Sequence, residues 1–390
     1  MKRLYRLLLA VLIVTGVWGC DGGTAVARQA DRWVMSLSVS SDGRHAVSVH
    51  ADRRVVLWDL ERRTSKVIST NGNLYSAYFV KGRDLFLWQD LDDVVHLTRL
   101  DGTDERRWKH FPTYGHVISS DLAHYFSSDK RWNVYHGYGG DMQPVKKDGD
   151  NPSFLGSGKL LNMQLSSGDR LLLTAGAEYD WDNKDIRPRY PAVVEGQRSS
   201  EYAGTVVWDV ATLKPLAVLY GHAVKTHATF SPDGRYVVSG GENSRVYVWD
   251  AKTRKKLFKL GSLTRGIVVD KSRGPGNWVW DKTGLIDQPK DFSGDAVLAV
   301  KFIDIDNHYL RFTAYQHYAI LYSIDSPLPL KYLDLGTRPF PATRDYSRNT
   351  AIDTAPAAGI LVMGQAVGPG INVYKYDKAT QTLKRVWVAR

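Results

Sequence analysis

Residues 221–260 read GHAVKTHATFSPDGRYVVSGGENSRVYVWDAKTRKKLFKL, and this stretch decides the fold. Three short runs, 226–230, 235–239 and 245–250, read as successive strands. Pro232-Asp233-Gly234 supplies a tight turn between the first two runs. The β-branched and aromatic residues of VYVWD suit a pleated surface. A fourth run, 257–260, follows the lysine-rich AKTRKK. Four successive strands on short turns make one antiparallel sheet.

The same grammar recurs on both sides. VSSDG at 39–43 leads to VVLWD at 55–59, and GTVVWDV at 204–210 ends another unit. With Thr98, Tyr135, Tyr322 and Tyr374 in the tryptophan's place, successive anchors stand at 58, 98, 135, 208, 249, 322 and 374. Gly221-His222, Ser231 to Gly234 and Trp249-Asp250 together resemble the WD-repeat family, whose period is about 40–45 residues. The resemblance implies an all-β, seven-bladed β-propeller of four-stranded blades, with 226–230 as an inner strand and 257–260 as an outer one. It also implies a tetrad of Trp, Ser/Thr, His and Asp within a repeat. His222, Ser239 and Trp249 match it, and Asn243 replaces the acid. Ser48, Asp52 and Trp58 match it in the first unit, where no Gly-His comes before, and Trp208-Asp209 marks a further one. Two anchor gaps are near twice the period, and each holds one set of strands plus a polar, aromatic stretch. Insertion explains them better than a hidden blade, so seven blades are expected and eight is the alternative count.

Composition is consistent with this fold class. The chain has 390 residues, 43% hydrophobic and 24% charged, which excludes a disordered or collagen-like chain. Twelve Trp, 21 Tyr and 34 Gly favour strands and turns. A single cysteine excludes an intramolecular disulfide framework and a cysteine-clustered zinc site.

That cysteine sits in MKRLYRLLLAVLIVTGVWGC, the first twenty residues. Lys2, Arg3 and Arg6 precede an apolar run over 7–18, too short to span about 30 Å of hydrocarbon. It suits the core of a secretory signal. Its end, Val17-Trp18-Gly19-Cys20, resembles a bacterial lipobox, with Trp18 where a small residue is usual. The resemblance implies lipidation of Cys20, removal of residues 1–19, a tether over 20–32 and one propeller domain over 33–390. It implies a lipid-anchored protein on the periplasmic face of a bacterial cell envelope. Asp21 resembles the inner-membrane retention signal of enteric-type bacteria. Losing the signal brings the net charge from +11 to +8, which suits anionic headgroups and an acidic protein partner. Nucleic acid is not expected outside the cytoplasm.

Motifs of catalysis are missing: the sequence contains no GxxxxGK, HExxH or GxSxG. His222 and His227 lack the carboxylate cluster a metal site requires, and Asp90, Asp92 and Asp93 read as a hairpin. No cofactor or metal is expected. Instead the chemistry-bearing residues gather in long connections, inserted at 178–203 and 261–295 and joined by the shorter 336–346. In an up-and-down four-stranded blade these connections emerge on one face. They carry Trp181, Arg187, Arg189, Tyr190, Arg265, Arg273, Trp278, Trp280, Phe340 and Arg344. Trp, Tyr and Arg are enriched at interface hot spots. The expected function is a membrane-anchored, non-catalytic scaffold binding a protein partner. The alternatives are an immunity-type lipoprotein that neutralises a toxic effector, and a propeller hydrolase or quinoprotein.

Overall fold

The computed structural model describes residues 33–128, 134–138, 154–156, 159–177, 203–222, 226–241, 245–260, 267–269, 278–280, 297–313, 318–337, 351–365 and 368–389. Their short strand-forming runs fold into seven antiparallel sheets, each of four strands in chain order from inside to outside. Blade 1 comprises β1–β4 (Val34–Val39, His45–His50, Val55–Asp59, Thr64–Ser69), and blade 2 comprises β5–β8 (Tyr78–Phe79, Leu85–Gln89, Val94–Arg99, Asp104–Lys109). Blade 3 is β9–β12 (His116–Ile118, His124–Ser128, Val134–Tyr138, Phe154–Gly156). Blade 4 is β13–β16 (Lys159–Leu165, Leu171–Ala177, Ala203–Asp209, Pro215–His222). Blade 5 is β17–β20 (Thr226–Phe230, Tyr236–Gly241, Val246–Asp250, Lys256–Leu260), matching the four runs expected from the sequence to within two residues. A separate hairpin, β21–β22 (Ile267–Val269, Trp278–Trp280), follows. Blade 6 is β23–β26 (Val297–Phe302, His308–Thr313, Tyr318–Ser323, Pro329–Asp334), and blade 7 is β27–β30 (Ile352–Ala355, Ile360–Gly364, Ile371–Asp377, Thr382–Val388).

A four-stranded sheet with apolar residues on both faces cannot hide them alone, so blades stack face to face. Among the described residues the core divides into seven clusters, one at each junction of neighbouring blades. Leu173 and Val207 of blade 4 meet Phe230 and Trp249 of blade 5, for example. The last junction joins Val362 and Val373 of blade 7 to Val39 and Trp58 of blade 1, which closes the ring. Eight blades would need an eighth junction, so the count is seven. Among the described residues no strand is exchanged across the seam. At Gly240 a Cβ would stand 2.4 Å from Val297 Cγ1, so blades 5 and 6 close only over a glycine.

The first hairpin of several blades owes its shape to local side-chain bonds. In blades 1, 3 and 5 a serine hydroxyl donates to an aspartate two residues on, Ser40 to Asp42, Ser119 to Asp121 and Ser231 to Asp233. Each carboxylate also accepts the amide of the residue two further along. Gly43 and Gly234 supply the left-handed position at φ +72°.

Within the blades, the tryptophan expected on the third strand donates its indole N–H to a hydroxyl on the second. Trp58 bonds Ser48 at 2.8 Å, Trp208 bonds Thr174 at 2.9 Å and Trp249 bonds Ser239 at 3.0 Å. Strand register puts Thr98, Tyr322 and Tyr374 at the same third-strand position. Tyr135 does not stand there. It pairs with Ser127, the counterpart of Ser239, and the tryptophan's place opposite Tyr125 belongs to Gly137. The expectation for blade 3 was two residues out of register, because a diverged strand offers no Trp-Asp to fix the count. Blade 3 keeps a different half of the tetrad: His110 bonds Ser127 at 2.8 Å. In blade 1 it is His50, two residues beyond Ser48 on the same strand, that meets Ser48 at 2.9 Å. Asp52 accepts from the Arg54 guanidinium at 2.8 Å. His222 ends β16, opposite Ala203; its side chain and Asn243 lie outside the described residues.

Candidate functional site: the channel and the loop-bearing face

Each inner strand has a free edge toward the ring axis, where unpaired amides would otherwise face a cavity. Side chains of the preceding blade cap them. Ser36 and Ser38 of blade 1 accept the amides of Ala77 and Phe79 in blade 2, at 3.1 and 3.0 Å. Asn162 of blade 4 accepts the Ala228 amide and donates to the Ala228 carbonyl. Gln164 accepts from the Phe230 amide and the Thr229 hydroxyl, both at 2.9 Å. Asp353 of blade 7 accepts the Val39 amide of blade 1 at 2.9 Å, so the seam uses the same chemistry as the interior. Lys301 of blade 6 completes the run by pairing with Asp353 at 2.9 Å.

These strands line a central cavity of about 860 Å³ to which all seven blades contribute. Its charged residues include Lys81, Asp169, Lys301 and Asp353. Lys81 donates to the Leu165 carbonyl, bridging blades 2 and 4. Burial lowers its pKa, while Asp169 and Asp353 act in the opposite direction. Burial, helped by the same two carboxylates, raises that of the Tyr78 phenol. Polar groups of this channel are therefore largely engaged in holding blades together. Among the described residues no group of three or more His, Asp or Glu side chains is placed to hold a metal ion.

Strand direction sorts the connections between two faces. The hairpins between first and second strands, and between third and fourth, form a turn face. Connections between second and third strands, and from one blade to the next, form the opposite, loop-bearing face. Ala177 and Ala203 are the stems of the first long connection, and Leu260 and Val297 those of the second. Thr337 and Ala351 bracket the third. All six stand on the loop-bearing face, as the sequence implied. Trp278 and Trp280 lie on β22, opposite Val269 and Ile267. Cys20, Trp181, Arg187, Arg189, Tyr190, Arg265, Arg273, Phe340 and Arg344 lie outside the described residues.

The described part of this face is well tied down. Tyr75 and Tyr114 stack at the channel mouth with centroids 5.5 Å apart. Gln89 collects the amide of Thr113, the side chain of Asn73 and the carbonyl of Phe111, fixing the connections on either side of blade 2. His116 bonds the Ser76 carbonyl at 2.6 Å; a carbonyl only accepts, so Nε2 carries the proton and Nδ1 accepts from Tyr125 Oη. Asp90 accepts the Val94 amide and Asp93 takes φ +63°, the hairpin expected there.

Fold and ring closure together define a seven-bladed β-propeller. Two stretches, 26–59 and 213–250, match the model of the WD domain, G-beta repeat. Each ends on a Trp-Asp pair, Trp58-Asp59 and Trp249-Asp250. Among curated proteins, the U3 small nucleolar RNA-associated protein 18 homolog of Arabidopsis thaliana is 26% identical over 154 residues. That match covers 36% of this chain and 28% of the relative's length. The chain is thus a seven-bladed propeller, two stretches of which are similar to WD repeats.

Proposed function

We propose that this protein is a membrane-tethered, non-catalytic scaffold that captures a protein partner on its loop-bearing face. The observation that carries the reading is the convergence of three long connections, through stems at Ala177 and Ala203, Leu260 and Val297, and Thr337 and Ala351, on one face of a closed ring. A rigid disc with variable loops on one side is a frame for recognition. Trp181, Arg187, Arg189, Tyr190, Arg265, Arg273, Trp278, Trp280, Phe340 and Arg344 are the proposed anchors. Residues 1–19 act as a lipoprotein signal, Cys20 carries the lipid, and residues 20–32 tether the domain over 33–390 on the periplasmic side, with Asp21 favouring the inner membrane.

Changing Trp181, Arg187 and Arg189 together to alanine tests the binding reading. Capture of the partner from detergent-solubilised membranes is expected to disappear while the melting transition stays where it was. Capture at the original level would contradict it. Cys20→Ser tests the anchor: the variant should remain an unprocessed, slower-migrating precursor.

A further inference from the structure

The path of the chain into and out of the ring fixes an orientation. β1 begins at Val34, paired with His50, and the carbonyl of Trp33 accepts the Ala51 amide at 2.7 Å. Ala51 belongs to the connection between β2 and β3, so the chain enters blade 1 on the loop-bearing face. The far end behaves alike. The Ala389 amide bonds the Ile371 carbonyl, and Gln365 donates to the Ala389 carbonyl, beside the connection between β28 and β29. Strand parity therefore brings the tether side of the chain out among the stems of the long connections.

We infer that the loop-bearing face is turned toward the bilayer and that its partner is a protein held in the same membrane. The inference rests on the lipid anchor at Cys20. From Cys20 to Trp33 the chain spans thirteen residue steps, at most roughly 45 Å when fully extended. A tether of that reach, leaving from the loop-bearing face, holds this face as the near side of the disc. The turn face, with its Ser-x-Asp hairpins, looks away. The three long connections carry nearly balanced charge, with twelve Lys or Arg and twelve Asp or Glu across 178–202, 261–296 and 338–350. They offer no basic patch to headgroups, but they hold the Trp and Arg side chains that suit a protein surface. A partner free in the periplasm would have to enter the gap between disc and membrane. One embedded in the membrane is already there.

Blade 2 provides a ruler for the test. Asp84 and Leu91 are both exposed and stand at opposite ends of β6, about 23 Å apart along the strand, Asp84 on the turn face and Leu91 on the loop-bearing face. With Cys20 consumed by lipid, Asp84→Cys or Leu91→Cys introduces a unique free thiol for a fluorophore. The full-length lipoprotein, reconstituted into vesicles carrying an acceptor dye in the headgroups, should transfer energy more efficiently from position 91 than from 84. Equal or reversed efficiencies on vesicle-bound protein would overturn the orientation. Protein that fails to stay with the vesicles would overturn the lipid anchor instead, so the two failures are distinct. Lengthening the tether by twenty Gly/Ser residues should shrink the difference between the positions; a difference unmoved by that change would also overturn the inference.

Discussion

Trp88 donates its indole N–H to Thr98 Oγ1 at 2.9 Å, with the tryptophan on the second strand of blade 2 and the threonine on the third. In blade 5 the same bond joins the same two positions with the residues exchanged, Trp249 on the third strand and Ser239 on the second. Ten residues separate the partners in both blades. What the blade preserves is one buried indole–hydroxyl bond across neighbouring strands, in either direction.

Thr98 also donates to Asp104 at 2.8 Å, and Asp104 holds His96, whose ring stacks on Trp88 with centroids 4.0 Å apart. Thr98→Val keeps the shape but strands the buried Trp88 indole N–H and removes one of the bonds to Asp104. A loss of about 1–3 kcal/mol is expected in urea unfolding. An unchanged midpoint would mean that the network adds nothing.

Trp249 is fully buried against blade 4. Trp249→Ala should cost roughly 3–5 kcal/mol, the transfer and cavity penalty of a large aromatic. A loss below about 1 kcal/mol would place the ring outside the core.

At the seam, Asp353 holds the Val39 amide, the Ser38 hydroxyl at 3.3 Å and the Lys301 ammonium. Asp353→Ala should cost about 1–3 kcal/mol, because it uncaps an edge amide and leaves Lys301 without this carboxylate. Hydrogen exchange should rise first in β1 and β27. Uniform exchange around the ring would show that the seam is no weaker than the other junctions.

Blade 3 and its approach carry four of the protein's histidines, and burial shifts three of them. His116 and His136 are lowered to about 4, and His110 to about 3, in each case chiefly by burial. A proximal like group adds to the effect, His124 for His136 at 3.0 Å and His116 for His110. Near pH 7 all three are neutral whether folded or unfolded. As pH falls below about 6.5 the unfolded chain takes up protons that the folded one refuses, so stability falls with pH until the folded values are reached. For the fully buried His116 the slope approaches 1.4 kcal/mol per pH unit in that window. His308, raised by its bond to Asp304, acts in the opposite sense: its contribution is present at low pH and lost as pH rises. Urea midpoints should drop between pH 6.5 and 4.5, more steeply than in His116→Gln. A flat profile would contradict the burial of these rings.

Much of the fold was legible because strands announce themselves twice, by short runs of β-branched and aromatic residues and by the turns between them. The Ser-x-Asp hairpins and three Trp-Asp pairs set the repeat, and spacing supplied the remaining blades. Legibility stopped where one side chain can replace another without changing the backbone. Tyr135 was placed two residues off because blade 3 has no tryptophan to mark the position now held by Gly137. His110 stands 17 residues before Ser127, as His222 stands before Ser239, but it lacks the preceding glycine that draws attention to it. The capping of inner-strand edges by Ser36, Gln164 and Asp353 was invisible in the sequence. It links residues 41, 66 and 314 positions apart through a geometry that only the closed ring creates. The stems of the long connections could be placed on one face from strand parity alone, whereas most of the residues those connections carry lie outside the described ones.

The binding role of the loop-bearing face is tested most directly by removing one long connection at its stems. Ala177 and Ala203 are in step with the antiparallel pairing of Ala175 with Thr205, so putting Gly-Asn in place of residues 179–202 leaves a three-residue Glu178-Gly-Asn connection, a common hairpin length, between the strands. Shortening a long loop also lowers its closure cost, by about 0.6 kcal/mol per halving. The shortened protein should remain soluble, melt cooperatively and keep the circular dichroism of an all-β ring, while losing capture of its membrane partner. Full capture by a protein that folds normally would contradict the assignment of binding to this connection.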